Sequence, residues 1–203
     1  MILGITGGTG CGKTTLLQVL EELGVTVIDC DQVYHRLLKT DPALLSAIGA
    51  RFPGTVDGGV LERKALGELV FRDPQALADL NAITHAAIRA QVRRELAAAP
   101  GHAAIDAAAL FESGLDRLCH TTVAVVAPRQ DRILRLMARD QISEEYAAAR
   151  IDAQPPEAWF RQNCDHILNN SKDLPQFRKD CIAFCGSIGI MEADPRRNGE
   201  HRL

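Results

Sequence analysis

Short apolar runs alternate with helical patterns along the chain. Five runs predict buried β-strands, at residues 1–6, 25–28, 103–105, 121–126 and 166–168. The segments between them follow a helical period and carry no hairpin signal. Strands that alternate with helices form a parallel sheet covered on both faces, because each crossover passes over the sheet. The pattern therefore predicts an α/β fold of three layers with a central parallel sheet.

Two long stretches between the predicted strands are helical insertions. One covers about residues 32–99 and holds no convincing strand, and the other covers about 129–162 and is broken at Pro155 and Pro156. The end of the chain is polar, which predicts a frayed tail. We expect a single domain over residues 1–190, with a core of residues 1–31, 100–128 and 163–188, and a tail over residues 191–203.

Composition narrows the classes of function. The net charge of −3 gives no general attraction to nucleic acid or to an anionic membrane, so neither is an expected partner. Six dispersed cysteines do not form the pattern of a disulfide scaffold, and no secretory signal or membrane-spanning apolar run is visible. We therefore expect a cytoplasmic location. The oligomeric state stays open between a monomer and a weak homo-oligomer.

A glycine-rich stretch separates the first predicted strand from a helix that begins near Thr14. It reads Gly7-x4-Gly12-Lys13-Thr14, the phosphate-binding loop pattern. Glycines let successive N–H groups approach phosphate oxygens, and the helix directs the positive end of its dipole to the same place. Lys13 supplies a cation for the β- and γ-phosphates, and the Thr14 hydroxyl can bind the Mg²⁺ of the nucleotide. The predicted ATP-binding residues are Thr9, Gly10, Cys11, Gly12, Lys13, Thr14 and Thr15.

Two carboxylates follow predicted strands. Asp31 comes after residues 25–28 and Asp106 comes after residues 103–105. In a parallel sheet these positions share one edge with the phosphate loop, where an acceptor hydroxyl must be oriented or deprotonated. Asp31 is the predicted base or orienting group, although a helix N-cap is an alternative role. Asp106 is either an indirect partner of Mg²⁺ or a second candidate base.

Five arginines and no lysine lie between positions 129 and 150. Arg132, Arg135 and Arg139 share one helix face. A solvated surface is the ordinary explanation of a charge run, but arginine alone is typical of phosphate recognition. We expect this helix to act as a lid whose arginines, Arg139 among them, stabilise charge during phosphate transfer.

Several ordered segments together resemble the dephospho-CoA kinase family. They are LGITGGTGCGKTT, VIDCDQVYHRLL, VDGGVLERKALGELVFRDP, ITHAAIR, AIDAAALFESGL, RILRLMARDQIS with ARIDAQ, and CDHILNN. The resemblance implies a P-loop kinase fold with a helical lobe for the acceptor and a helical lid. It also implies transfer of the ATP γ-phosphate to the ribose 3′-hydroxyl of dephospho-CoA, with Asp31 as the base and His85 and Arg89 facing the acceptor.

Two positions depart from the family pattern, and two other functions stay open. Ala86 follows His85, and Ala108 lies in the segment after Asp106, where the family has proline. The loss of proline makes the placement of Asp106 less constrained. The alternatives are a P-loop kinase for another small molecule or a nucleoside monophosphate, and an ATP-binding switch without catalysis.

Overall fold

The computed structural model describes residues 1–191 and divides into two compact units. The first unit contains Met1–Val27, Ala99–Ala108 and the described residues from Cys119 onward. The second contains Ile28–Ala98 and Ala109–Leu118. Residues 192–203, which carry nearly all of the predicted tail, lie outside the described residues.

The first unit is built on a five-stranded sheet of order β2-β5-β1-β6-β7. Strand β1 pairs in parallel with β5 and β6, and β6 pairs in parallel with β7. The strands of the sheet are β1 Ile2–Thr6, β2 Thr26–Asp29, β5 Ala103–Asp106, β6 Thr121–Val126 and β7 His166–Asn169. The last two residues of β2 are assigned to the second unit. The helices of this unit are α1 Lys13–Glu22, α6 Arg129–Asp140, α7 Glu144–Asp152, α8 Glu157–Asn163 and α9 Leu174–Ser187. The predicted α/β class with a central parallel sheet is confirmed.

Alternate residues of β6 face opposite layers of the first unit. Val123 and Val125 belong to the main core cluster with residues of α1 and α9. Ala124 and Val126 belong to a separate cluster with Phe160 of α8. The four successive apolar residues 123–126 of β6 are therefore buried on both faces of the sheet, as expected for a parallel sheet.

The second unit consists mainly of helices. They are α2 Cys30–Thr40, α3 Pro42–Arg51, α4 Arg63–Arg72, α5 Pro74–Ala98 and a short 3-10 helix Asp116–Leu118. The side chain of Asp29 accepts from Gln32 N at 3.0 Å and caps α2, and Asp41 caps α3 in the same way. The unit covers most of the predicted insertion, but it also includes residues 109–118, which the sequence pattern grouped with residues 100–128.

A small antiparallel hairpin in the second unit corrects one expectation. Strands β3 Val56–Asp57 and β4 Val60–Leu61 pair across Gly58 and Gly59, whose φ angles are 55° and 81°. Two successive residues of positive φ are typical of a tight hairpin turn, for which glycine is favoured. The prediction of no strand and no hairpin in residues 32–98 was therefore wrong, because two-residue strands are too short to show alternation.

Among residues 1–191, no helix combines the length and the apolar character that crossing a bilayer requires.

Truncation of Phe177, which lies in the main core, should lower the stability of the fold strongly. This residue of α9 is fully buried in the core cluster, whereas Phe71 of α4 is 94% exposed. Phe177→Ala leaves a cavity and should lower the free energy of unfolding by about 3–5 kcal/mol. Phe71→Ala is the matched control and should change it by less than about 0.5 kcal/mol. Urea unfolding followed by circular dichroism measures both, and equal effects would contradict this packing.

Candidate active site

The phosphate loop, residues 7–14, follows β1 and includes the first two residues of α1. Gly7 is buried and has φ 135°, and a Cβ added there would lie 2.3 Å from the carbonyl oxygen of Val125. Gly12 caps α1 with φ 91°, in the left-handed region that glycine favours. The motif glycines at both ends of the loop are therefore required by the backbone conformation and by close neighbours.

Every carbonyl group from Gly7 to Gly12 accepts a hydrogen bond from the protein. The donors are Lys13 Nζ to Gly7 at 3.0 Å, Cys11 N to Gly8 at 3.3 Å, Arg132 Nε to Thr9 at 2.9 Å, Arg135 Nη1 to Gly10 at 3.2 Å, Asn170 Nδ2 to Cys11 at 2.9 Å and Thr15 N to Gly12 at 3.2 Å. Three of these six donors are side chains that come from beyond residue 130. The loop conformation is thus fixed by distant parts of the chain.

Holding the carbonyl groups determines where the N–H groups of the loop point. In a trans peptide the C=O and the following N–H point in opposite directions, and no cis peptide occurs among residues 1–191. The held carbonyls of Thr9 and Cys11 therefore direct the N–H groups of Gly10 and Gly12 the other way. The first N–H groups of α1, from Lys13 and Thr14, have no partner within the helix. These donors together form a concave site suited to an anion.

Two loop N–H groups are engaged by the protein. Cys11 N donates to Gly8 O, as described above, and Thr9 N donates to Gln154 Oε1 at 2.7 Å. Cys11 itself is 1% exposed and its side chain belongs to the core cluster. Burial raises the pKa of its thiol, although Lys13 and Arg132 act in the opposite direction. The thiol therefore stays protonated at neutral pH and serves packing.

Asn170 connects the end of β7 to the loop. It is 6% exposed, its backbone N donates to Val126 O at 2.7 Å, and its side chain donates to Cys11 O. A Cβ at Gly12 would lie 2.3 Å from Asn170 Nδ2. The sequence pattern did not single out Asn170, although its place just after a predicted strand is where site residues of parallel sheets occur.

Asp106 is the last residue of β5, and its Cα is paired with that of Ile5 in β1. Strand β1 leads into the phosphate loop, and β5 is its neighbour in the sheet. Asp106 therefore lies on the strand next to β1, close in register to the start of the loop. The adjacent Ala107 N donates to Ile5 O at 3.0 Å, which fixes this register. Asp106 and the loop therefore share the first unit and the same sheet edge.

The arginine face of α6 divides into two parts. Arg132 and Arg135 donate to loop carbonyls, and partial burial lowers the pKa of the Arg132 guanidinium from its ordinary value. Arg139, near the other end of α6, is 60% exposed and pairs with Asp140 at 2.6 Å. The hydrogen bond from Arg139, with a further contribution from Arg150, lowers the pKa of Asp140 to about 2. Only the first part of this face contacts the phosphate loop.

The remaining predicted site residues belong to the second unit. Asp31 is exposed in the first turn of α2, where Asp29 rather than Asp31 is the N-cap. The alternative role of Asp31 as an N-cap is therefore wrong. Its carboxylate is left available to solvent and to a ligand.

His85 and Arg89 lie one turn apart on α5, and each faces the segment that precedes the 3-10 helix. Arg89 Nη1 donates to Ser113 O at 2.6 Å, which fixes the guanidinium. Partial burial lowers the pKa of His85, Arg89 adds to this shift, and Glu112 opposes it. His85 is thus a neutral group beside a fixed cation at neutral pH.

Among residues 1–191, no group of three or more His, Cys, Asp or Glu side chains has the arrangement of a metal site. Thr14 is exposed at the start of α1 and offers a hydroxyl oxygen of the kind that Mg²⁺ accepts.

The link between Asn170 and the loop leads to a stability prediction. Asn170→Ala leaves the carbonyl of Cys11 buried without this donor, which should lower the free energy of unfolding by about 1–3 kcal/mol. It should also weaken ATP binding. Without Asn170 the peptide between Cys11 and Gly12 can rotate, and the Gly12 N–H is no longer directed at the phosphates. Asn169→Ala is the control, since that side chain is exposed and contacts Arg161. Thermal unfolding and titration calorimetry with ATP test both, and identical behaviour of the two variants would refute the link.

Known proteins share the sequence pattern and the fold of this chain. The family model of dephospho-CoA kinase matches residues 1–176. The dephospho-CoA kinase of Latilactobacillus sakei is 38% identical over 181 residues, covering 87% of this chain and 90% of that protein. A crystal structure of a Thermus thermophilus protein superposes with a TM-score of 0.79 at 33% identity, covering 93% of this chain and 97% of that one.

A second solved structure is dephospho-CoA kinase from Campylobacter jejuni. It superposes with a TM-score of 0.68 at 27% identity, covering 92% of this chain and 96% of that one. The match of the family model over most of the chain, with the loop geometry described above, establishes the family. The chain belongs to the dephospho-CoA kinase family.

Proposed function

We propose that this protein transfers the γ-phosphate of ATP to the ribose 3′-hydroxyl of dephospho-CoA, forming CoA and ADP in the last step of coenzyme A biosynthesis. One observation carries the ATP half of this proposal. The loop carbonyls from Gly7 to Gly12 are all occupied by protein donors, so the loop offers N–H groups and a lysine to its ligand. A ligand that matches such a site is an oxyanion. Family membership supports the acceptor half.

In the proposed site, the N–H groups of Gly10, Gly12 and the first turn of α1 bind the terminal phosphates. Lys13 exchanges its bond to Gly7 O for the β- and γ-phosphates. Mg²⁺ would be held by the Thr14 hydroxyl and by phosphate oxygens, with Asp106 as an indirect partner. When bound, the metal neutralises charge that develops on the transferred group.

The transfer step needs a base for the acceptor. Asp31 takes the proton of the 3′-hydroxyl, the new O–P bond forms at the γ-phosphorus, and the bond from that phosphorus to the bridging oxygen of ADP breaks. Asp31 is exposed in the first turn of α2, so its carboxylate is open to an acceptor hydroxyl and can serve as this base. His85 and Arg89 contribute to acceptor binding, where the fixed guanidinium of Arg89 suits an anionic ligand.

The acceptor is tested by comparing ADP release with different phosphate acceptors. Dephospho-CoA as the only acceptor should support turnover, whereas nucleoside monophosphates should support at least about 100-fold less, as is typical of sites that recognise their substrate by hydrogen bonds. A higher rate with a nucleoside monophosphate would assign the protein to another kinase activity. ATP binding without turnover on any acceptor would favour a switch without catalysis.

The role of Asp31 is tested by Asp31→Asn. Loss of the base should lower kcat by about 10²–10⁴-fold, while the affinity for ATP stays within about twofold. Asp57→Asn, at an exposed carboxylate of the hairpin, is the control and should leave kcat unchanged. Unchanged turnover in Asp31→Asn would remove this residue from the mechanism.

The role of Arg139 is tested by Arg139→Ala. If this arginine leaves Asp140 and contacts the transferred group, kcat should fall by at least about tenfold, with a smaller change in dephospho-CoA affinity. Arg161→Ala is the matched control, because Arg161 is similarly exposed and is paired with Glu157. Equal kcat values for the two variants would make Arg139 a surface residue.

A further inference from the structure

Residue Thr9 of the phosphate loop is bound at both of its backbone polar groups by two side chains. Gln154 Oε1 accepts from Thr9 N at 2.7 Å, and Arg132 Nε donates to Thr9 O at 2.9 Å. Arg132 Nη2 also donates to the same oxygen of Gln154 at 3.0 Å. The three bonds close a ring formed by Thr9, Arg132 and Gln154, which we call the Thr9 clamp.

The two side chains of the Thr9 clamp belong to helices that pack on each other. Arg132 lies in the first turn of α6, and Gln154 follows the C-cap of α7. A cluster of buried residues joins the two helices: Ile133, Leu136, Ala147 and Ile151. The helix pair α6–α7 is therefore attached to the loop at two residues. Thr9 is bound by Arg132 and Gln154, and Gly10 is bound by Arg135.

Gly8 leaves space for the Arg132 side chain of the Thr9 clamp. A Cβ at Gly8 would lie 2.2 Å from Arg132 Nη2. Gly8 is absent from the glycines of positive φ, so its own backbone conformation does not demand glycine. The space above Gly8 is instead taken by the guanidinium of Arg132. The glycine at this position of the motif thus makes room for the clamp.

We propose that Gln154 is a positioning residue for ATP, acting through Thr9 and together with Arg132. By accepting the Thr9 N–H, Gln154 removes this donor from the phosphate site, and Arg132 turns the Thr9 carbonyl outward. The peptide between Thr9 and Gly10 is thereby oriented so that the Gly10 N–H is the first donor that faces the phosphates. This inference rests on the proposed binding of ATP by the loop, but the clamp itself can be measured without nucleotide.

The direct test compares Gln154→Met, which keeps the side-chain size and removes the acceptor, with Gln154→Glu, which keeps an acceptor oxygen. Solvent exchange of the Thr9 amide, measured by NMR on the nucleotide-free protein, should accelerate at least about tenfold in Gln154→Met. It should stay close to the wild-type rate in Gln154→Glu. The matched control is Gln162→Met, at an exposed glutamine of α8. Amides of α9 report global stability and should not change in any of these variants.

The kinetic test separates positioning from general destabilisation. Gln154→Met should raise the KM for ATP roughly tenfold, while the KM for dephospho-CoA stays within about twofold. Arg132→Lys keeps the charge and loses the forked donor, so it should produce a similar change in the KM for ATP. The double variant Gln154→Met with Arg132→Lys should be less impaired than the product of the single effects, because both act on the same residue.

Two results would overturn the proposal. One is an unchanged exchange rate of the Thr9 amide in Gln154→Met, which would mean that Gln154 does not hold the loop. The other is tighter ATP binding in Gln154→Met, which would make Gln154 a competitor of the nucleotide. Failure of the wild-type protein to use ATP would refute the proposed function and leave the exchange result for the clamp intact, so the two failures are distinguishable.

Discussion

The phosphate loop can present N–H groups to an anion because its carbonyl groups are held elsewhere in the protein. Six consecutive carbonyls from Gly7 to Gly12 each accept from a defined protein donor, so the peptide groups of the loop are turned with their carbonyl oxygens toward the protein. Glycine permits this loop conformation, but a glycine-rich loop could also adopt many other backbone conformations. The conformation is selected by Arg132, Arg135 and Asn170, which are placed by α6 and by the end of β7.

The two units carry different parts of the proposed chemistry. The loop, Asp106 and the arginines of α6 all belong to the first unit, whose sheet and flanking helices provide a rigid support. Asp31, His85 and Arg89 belong to the second, where they lie on two helices. Phosphoryl transfer depends chiefly on positioning and on charge stabilisation, so separate elements for donor and acceptor suit the reaction.

The sequence predicted the parts of the site that local pattern determines. The loop motif, the strand before it and the helix after it form a contiguous signal, and the strand-helix alternation predicted the parallel sheet. Asn170 and Gln154 were not singled out, because their role depends on contacts with residues 159 and 145 positions away. A single asparagine after a strand and a glutamine before two prolines have no periodic pattern.

For the arginines of α6, the sequence predicted the shared helix face but not the partner of each side chain. Their shared helix face was predicted, and arginine was assigned to phosphate for its forked geometry. In the structure Arg132 donates to Thr9 O and to the side chain of Gln154, and Arg135 donates to Gly10 O. Arg139 is instead paired with Asp140. Helical periodicity determines which residues share a face, but the partner of each residue depends on what that stretch of helix packs against.

The central claim is tested most directly by a crystal structure with magnesium, a non-hydrolysable ATP analogue and dephospho-CoA. It should show terminal phosphate oxygens about 3 Å from the N–H groups of Gly10, Gly12 and Lys13, with the loop carbonyls still bound to Arg132, Arg135 and Asn170, and Asp31 beside the 3′-hydroxyl. A triphosphate bound away from the loop, or a loop that turns its carbonyls toward the phosphates, would contradict it.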